Sequence, residues 1–418
     1  MKSYLAWVAA VLALAATACG SDSATATAKT DAASDTATDG AGNADSSAAD
    51  AGSADSIAAD TTVDTTADTG GAAPYGVGVL DVKVAGPGGR SLPATIWYPI
   101  PPGSTGTVVK YLGMMASPGG ALEKVESAKG PFPLVAFSHG NQGMRQQSVF
   151  LTEALAQHGY VVIAPDHVGN TYADFDAKLI GAMVVWRPLD LRAAIDRALK
   201  PEAGDPAWLT GLVDAEHIAV SGHSFGGYTA LAVAGAPVDV PKSYLPDCSL
   251  PGASTEATCS AMALAGSLPW KFGDPRVSLT LPLAHCGQLP GFGFVLSLLG
   301  DLKIPAILQA ASGDTTCTLA QQAQPAYAAW GGPKALVTMD GGNHFSYSDL
   351  CNLPLAQIPQ FAGYCKDRVP ELAAAHASVI HYTLAACDAW LRGKTDRMAE
   401  FKPGAAGIVS IQSSGIVQ

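Results

Sequence analysis

The chain has 418 residues, of which 48% are hydrophobic, and carries a formal net charge of −12 at pH 7. A chain without a basic excess lacks the charge that binds phosphate backbones, so we expect no nucleic-acid partner. Residues 74–418 are long enough for one folded domain with a sizeable core and an insertion.

The first 19 residues have the pattern of an export signal. Lys2 gives the positive start, residues 5–16 are apolar, and small residues precede Cys19. This apolar stretch is short for a membrane-spanning helix. A cysteine at this point resembles the signal of bacterial lipoproteins, whose cysteine becomes the lipidated first residue. The resemblance implies an exported cell-envelope protein, periplasm-facing or at the outer membrane, that contacts a membrane through a lipid anchor at Cys19; plain secretion is the alternative.

Residues 20–73 predict a linker. They contain ten aspartates, one lysine and no aromatic residue, in a background of alanine, threonine, serine and glycine. So little apolar surface does not offset the entropy lost on ordering. We therefore expect a disordered, self-repelling acidic tether rather than an acidic binding site.

Strand and helix patterns alternate from residue 74 onwards. The predicted strands are 77–84, 94–98, 134–137, 160–164, 218–220, 277–283, 304–308 and 335–339. The central runs are apolar throughout, which is typical of parallel strands covered on both faces. Between them, 191–199 predicts a helix with leucine and isoleucine on one face and Arg and Asp on the other. The pattern predicts a doubly wound α/β sheet, an insertion at about 237–275, and a closing helix at about 372–391.

Residues 222–226 read Gly-His-Ser-Phe-Gly, directly after a predicted strand and before an alanine-rich segment. At a sharp strand-to-helix turn, the serine of a G-x-S-x-G sequence presents its hydroxyl above the sheet, and the glycines leave room for the turn. Ser224 is therefore the candidate nucleophile. A serine needs a base, an orienting acid and an oxyanion site to react.

If the chain has the order serine, acid, histidine of an α/β-hydrolase, the base follows Ser224, and four histidines do so. His344 lies in a glycine-rich loop straight after the last predicted strand, so we predict it as the base. His376 and His381 fall within the closing helix, and His285 follows a strand, so we interpret these three as ordinary structural or loop residues.

The orienting acid should follow a strand between Ser224 and His344. Asp314 does so, at the turn after 304–308, and a carboxylate there would hold the imidazole in one tautomer. The alternative is that Asp314 only caps its own turn. Asp301 precedes that strand, and Asp340 ranks second.

An oxyanion site needs backbone N–H donors beside the nucleophile. Residues 137–141 read Phe-Ser-His-Gly-Asn and follow a central strand, which makes the Asn141 N–H one candidate donor. The Phe225 N–H, directly after the nucleophile, is the other. We interpret His139 as structural.

Seven cysteines lie after the serine motif: Cys248, Cys259, Cys286, Cys317, Cys351, Cys365 and Cys387. Exported proteins form disulfides, and these spacings match no zinc pattern, so we expect disulfides and no metal. An odd number leaves one thiol free. Spacing suggests the local pairs 248–259 and 351–365, although sequence does not determine the connectivity.

Motifs at 137–140, 158–162, 164–167 and 222–227 resemble the platelet-activating-factor acetylhydrolase and dienelactone-hydrolase-like esterases, and are similar to bacterial cutinase-like polyester hydrolases. The resemblance spans about 130–345 and implies an α/β-hydrolase fold with the roles given above for Ser224, His344, Asn141 and Phe225. It departs in two respects. Dienelactone hydrolases use a cysteine nucleophile, and acetylhydrolases place the acid one strand earlier, where 277–285 holds none. The acid at Asp314 resembles the polyester-hydrolase branch.

The sequence predicts a monomeric serine carboxylic-ester hydrolase that acts through an acyl-enzyme and needs no cofactor. The expected substrates are short- to medium-chain, lipid-like or polyester-like esters. A serine peptidase or amidase is the first alternative, and a non-catalytic binding lipoprotein the second. The apolar stretch 290–299 predicts either an acyl-pocket wall or lid, or a buried crossover helix.

Overall fold

The structure is a computed structural model that describes residues 73–241, 245–249, 253–289, 292–352, 365, 370–406 and 408–416. The predicted export signal, the lipidation site Cys19 and residues 20–72 of the linker lie outside these ranges and stay predictions. Within the described ranges, no helix is both long enough and apolar enough to span a membrane.

The described strands and helices are numbered separately in chain order. The strands are β1 (Gly76–Ala85), β2 (Ser91–Ile100), β3 (Lys110–Tyr111), β4 (Met115–Ala116), β5 (Leu122–Glu123), β6 (Phe132–Ser138), β7 (Val161–Pro165), β8 (Val213–His223), β9 (Val238–Asp239), β10 (Val277–Leu283), β11 (Gln288–Leu289), β12 (Phe292–Phe294), β13 (Ala306–Ala311), β14 (Lys334–Met339), β15 (Gly404–Ala406) and β16 (Val409–Ser414). The α-helices are α1 (Val149–Gln157), α2 (Ile180–Leu199), α3 (Phe225–Val233), α4 (Ala253–Ala265), α5 (Ala323–Ala329) and α6 (Leu372–Leu391).

Eleven of these strands form one sheet in the order β15-β16-β14-β13-β10-β8-β6-β7-β2-β1-β5. The run from β7 through β6, β8, β10 and β13 to β14 is parallel throughout. β2 pairs antiparallel with both β1 and β7. The chain order reverses around β6, which confirms the predicted doubly wound, mostly parallel sheet. Ligands of such sheets bind at the carboxyl ends of the strands.

Both faces of the central strands are covered, which explains their continuous apolar sequences. Along β6, Leu134 contributes to the core on one face and Val135 to the core on the other. Helices α2 and α3 supply Leu191 and Leu231 to the first core, while α1 and α6 pack on the second. Burial of each large apolar side chain stabilises the folded state by roughly 1.5–3 kcal/mol.

The predicted closing helix is present as α6, but it does not end the domain. β16 follows it and pairs antiparallel with β14 at the sheet edge, and β15 pairs with β16. The sequence pattern did not predict β16, because only Val409 and Ile411 are buried apolar residues and the residues after them are polar. So short an alternation resembles a polar loop.

The apolar stretch at 290–299 forms no α-helix in its described part, so the crossover-helix alternative is wrong. β12 joins β11 and β9 in a small three-stranded sheet, and Leu296–Asp301 forms a 3-10 helix. Phe294 is buried and stacks on Tyr228 of α3, with ring centres 5.4 Å apart. This segment therefore packs on the helix that follows Ser224, and its role as an acyl-pocket wall or lid stays a prediction.

Candidate active site

Ser224 occupies a strained turn between β8 and α3. Its φ of 60° and ψ of −121° lie where residues with a side chain are rarely found. A Cβ built on Gly226 would overlap the Ser138 carbonyl oxygen, and one on Gly222 would lie 2.5 Å from the same atom. Glycine is thus required on both sides of Ser224, as the G-x-S-x-G pattern predicts.

The structure brings Ser224, His344 and Asp314 into one hydrogen-bonded line. His344 Nε2 lies 2.9 Å from Ser224 Oγ, and His344 Nδ1 lies 2.7 Å from Asp314 Oδ2. The exposed fractions of the three residues are 8%, 6% and 4% respectively. With Nδ1–H donating to the carboxylate, Nε2 is free to accept the serine proton. This arrangement is chemically able to convert a serine hydroxyl into a nucleophile.

Asp314 also caps its own turn, so the contacts that the two interpretations require are both present. Its Oδ1 accepts the N–H groups of Thr316 and Cys317, both at 2.8 Å, while Oδ2 faces His344. Asp301 and Asp340, the other acids considered, are exposed. The turn fixes the carboxylate before any substrate arrives.

A second hydrogen-bonded chain joins the three loops of the site, and no sequence pattern predicts it. His223 Nε2–H donates to the His344 carbonyl at 2.8 Å, and His223 Nδ1 accepts from Gln147 Nε2 at 2.8 Å. Gln147 Oε1 in turn accepts the Gly140 N–H at 2.9 Å. Burial, and then the neighbouring His344, holds the pKa of His223 well below its ordinary value. A neutral His223 has the one donor and one acceptor that this chain requires.

The two predicted oxyanion donors belong to segments that adjoin the nucleophile. A Cβ built on Gly140 would lie 3.3 Å from Ser224 Cβ, so the 138–141 loop rests directly against the nucleophile. The Asn141 N–H meets no acceptor among the described residues, and Phe225 is the first residue of α3. His139 is buried, with Nδ1–H donating to Gly140 O and Nε2 accepting the His167 N–H. These two backbone contacts fit the interpretation of His139 as a structural residue.

Behind this loop lies another Ser-His-Asp line. Ser138 Oγ is 2.9 Å from His167 Nε2, and His167 Nδ1 is 2.9 Å from Asp190 Oδ2. All three side chains are fully buried, each with 0% exposure. No ester reaches Ser138 in this arrangement, so the line is part of the scaffold.

The remaining histidines after Ser224 make no hydrogen bond to it in the described structure. His376 stacks on Phe150 and contacts the Ser348 carbonyl, while His381 pairs with Glu400. His285 is buried with neither ring nitrogen paired among the described residues, and burial lowers its pKa to about 4. These positions agree with their interpretation as ordinary residues.

Three disulfides are present among the described cysteines. Two are the local pairs that spacing suggested, Cys248–Cys259 and Cys351–Cys365, and Cys387 is a buried free thiol. The third, Cys286–Cys317, joins the loops that follow β10 and β13.

The Cys286–Cys317 disulfide borders the candidate site. Cys286 Sγ lies 3.6 Å from Ser224 Oγ, and the Cys286 N–H donates to the Ser224 carbonyl at 3.2 Å. The Cys317 N–H is one of the two that cap Asp314. These two sulfurs and His344 lie close enough to hold a metal ion, but the sulfurs are joined to each other. The bridge thus ties the nucleophile to the turn that carries the acid.

Comparison with known proteins gives matches to ester-cleaving enzymes. Residues 112–244 match the family model described as chlorophyllase. Chlorophyllase type 0 of Chenopodium album is 29% identical over 115 residues, which cover 25% of this chain and 29% of that protein. A ferulic acid esterase from Streptomyces cinnamoneus has a similar structure, with a TM-score of 0.56 and 22% identity over 83% of this chain and 98% of its own.

The fold is that of the α/β-hydrolases, as the sheet order and the structural match together show. The chlorophyllase match covers under a third of its relative, so it does not carry that protein's activity over to this chain. These matches support the broad resemblance to α/β-hydrolase esterases. The acetylhydrolase, dienelactone-hydrolase and polyester-hydrolase branches stay predictions.

Proposed function

We propose that this protein is a carboxylic-ester hydrolase that works through an acyl-enzyme on Ser224. The observation that carries the proposal is the buried line from Asp314 through His344 to Ser224, at 2.7 and 2.9 Å. The chain also matches the chlorophyllase family model and is structurally similar to a ferulic acid esterase. Both matches support ester substrates over other acyl compounds.

The proposed reaction uses these contacts in the following order. His344 Nε2 takes the Ser224 proton while Oγ attacks the ester carbonyl, and the Asn141 and Phe225 N–H groups stabilise the oxyanion. Asp314 stabilises the imidazolium that forms. The tetrahedral intermediate then expels the alcohol, which receives the proton from His344. Water, deprotonated by the same imidazole, attacks the acyl-enzyme and releases the acid, which restores Ser224.

The substrate class rests on the resemblance rather than on the site itself. We propose short- to medium-chain esters with lipid-like or polyester-like acyl groups. An amidase or peptidase would use the same three residues. The geometry of these residues therefore does not distinguish the two activities, and a comparison of substrates with alcohol and amine leaving groups does.

Burst kinetics on p-nitrophenyl esters test the proposal. We expect p-nitrophenyl acetate and butyrate to be turned over, with an initial burst approaching one p-nitrophenol per chain if deacylation limits the rate. Matched p-nitroanilides should be cleaved at least about 100-fold more slowly, because an amine is a poorer leaving group than a phenolate. Faster cleavage of the anilides would assign an amidase instead, and no turnover of any ester would refute the proposal.

The disulfide beside Ser224 gives a prediction about activity as well as stability. Removing it as Cys286→Ala/Cys317→Ala opens a crosslink between residues 31 apart, which should lower the free energy of unfolding by about 3–4 kcal/mol. We also expect kcat to fall about 10-fold, since the Asp314 turn loses its tie to the nucleophile.

Removal of the Cys248–Cys259 bridge is the matched control. It closes a shorter segment, of 11 residues, within the insertion that carries α4. It should cost about 3 kcal/mol of stability and leave kcat within about twofold. Chemical denaturation and ester turnover measure the two quantities, and equal kcat losses in both double variants would contradict a local role for the bridge at the site.

A further inference from the structure

We propose that Arg187 is the positioning residue of the oxyanion hole, holding the 138–141 loop and the start of α3 in one fixed geometry. Arg187 lies within α2 and has 0% exposure. The inference rests on the proposed function, since it concerns how the two N–H donors of that reaction are held.

One side of the guanidinium holds the loop. An Nη2–H donates to the His139 carbonyl and also approaches Ser138 Oγ at 3.2 Å. Nη1 donates to Asn170 Oδ1 at 2.7 Å, and Asn170 Nδ2 donates to Asn141 Oδ1 at 2.8 Å. Arg187 thus contacts the peptide two residues before the Asn141 donor directly, and Asn141 itself through one intermediate side chain.

The other side of the guanidinium holds the nucleophile helix. Nε donates to Thr229 Oγ1 at 3.3 Å, and Thr229 Oγ1 donates to the Phe225 carbonyl at 3.0 Å. The guanidinium carbon also lies 4.7 Å from the centre of the Phe225 ring, which is a cation–π distance. A single side chain therefore contacts the structural supports of both donors.

A buried charge is costly, and an apolar residue of similar size would pack in α2 at lower cost. Burial lowers the pKa of Arg187 to about 9, with Asp190 opposing the shift, so the guanidinium keeps its charge at neutral pH. The facing imidazoles of His139 and His167 are buried, and their pKa values lie well below the ordinary range, so both are neutral. The arginine has a planar guanidinium whose N–H groups reach four acceptors in fixed directions, which an apolar residue could not do. A lysine keeps the charge but lacks that planar group.

Arg187→Lys in the full chain is the test, with Arg192→Lys as its matched control. Arg192 lies on the same helix with its side chain 38% exposed, paired with Asp274. We expect Arg187→Lys to lower kcat for p-nitrophenyl butyrate about 10- to 100-fold, below the 10²–10³ typical of losing a donor outright, with KM within about twofold. Arg192→Lys should leave both constants within about twofold.

A pair of inhibitors separates positioning from a general loss of structure. An alkyl trifluoromethyl ketone forms a hemiketal oxyanion on the serine, whereas the matched methyl ketone binds largely as the neutral carbonyl. The Ki of the trifluoromethyl ketone should rise by about the same factor as kcat falls, while that of the methyl ketone should change by less than about threefold.

Should Arg187→Lys not yield folded protein, Asn170→Ala carries the test. It removes the amide that links Arg187 Nη1 to Asn141 Oδ1, and leaves the contacts of the guanidinium with the His139 carbonyl and Thr229 Oγ1. We expect a kcat loss of about 10-fold with the same split between the two ketones. An unchanged kcat in a folded variant, or equal weakening of both ketones, would overturn the inference. Neither result bears on the proposed function, which is tested separately by ester turnover of the native protein and by labelling of Ser224.

Discussion

Replacing Ser224 by alanine is expected to lower kcat on p-nitrophenyl esters by about 10⁶-fold. The hydroxyl is the atom that His344 Nε2 faces at 2.9 Å, and no other side-chain oxygen in the described structure has that position. Without it, His344 has no proton to accept and no acyl-enzyme forms. The residual rate should be that of water attacking an ester held beside the N–H donors.

A fluorophosphonate probe measures this loss directly, because it reacts with the same oxygen. The native protein should incorporate one probe per chain, mapped by mass spectrometry to the peptide with Ser224, and Ser224→Ala should incorporate none. Ser221→Ala is the matched control, since Ser221 is buried three residues earlier with its hydroxyl on the Leu281 carbonyl. Labelling that persists at full rate in Ser224→Ala would remove this serine from the mechanism and the proposed function with it.

The sequence was sufficient to predict the three residues in this line for a physical reason. Ser224, Asp314 and His344 each come directly after a buried strand, in turns rich in glycine. Parallel strands end at the same edge of a sheet, so residues far apart in the chain meet there. The strand pattern therefore predicted both the fold and the hydrogen-bonded line, with the ends of β13 correct to within three residues.

The supporting residues carried no comparable signal. Arg187 and Asp190 belong to the part of α2 that precedes the predicted stretch 191–199, and both are fully buried. A charged residue within a helix is usually exposed, and only tertiary contacts show the exception. The contacts of Gln147 and the Cys286–Cys317 disulfide were not predicted for a similar reason, because they depend on which loops lie side by side.

Asp314→Asn is expected to lower kcat by about 10⁴-fold while leaving the fold intact. The asparagine carbonyl would still accept from the Thr316 and Cys317 N–H groups, so its amide N–H₂ would face His344 Nδ1. Two donors cannot share that contact, so the imidazole would take the other tautomer and present Nε2–H to Ser224. The base would then be unable to accept the serine proton, whatever the pH.

Ester turnover, fluorophosphonate labelling rate and thermal unfolding together test this reasoning. Turnover and labelling should both fall steeply, while the free energy of unfolding should change by only about 1 kcal/mol, because the turn keeps its two hydrogen bonds. Asp340→Asn provides the control: that carboxylate is exposed beyond β14, and its loss should leave kcat within about twofold. If Asp340→Asn proved the damaging change and Asp314→Asn the silent one, the acid would have to be reassigned, and the Asp314 carboxylate would be left with the capping of its own turn.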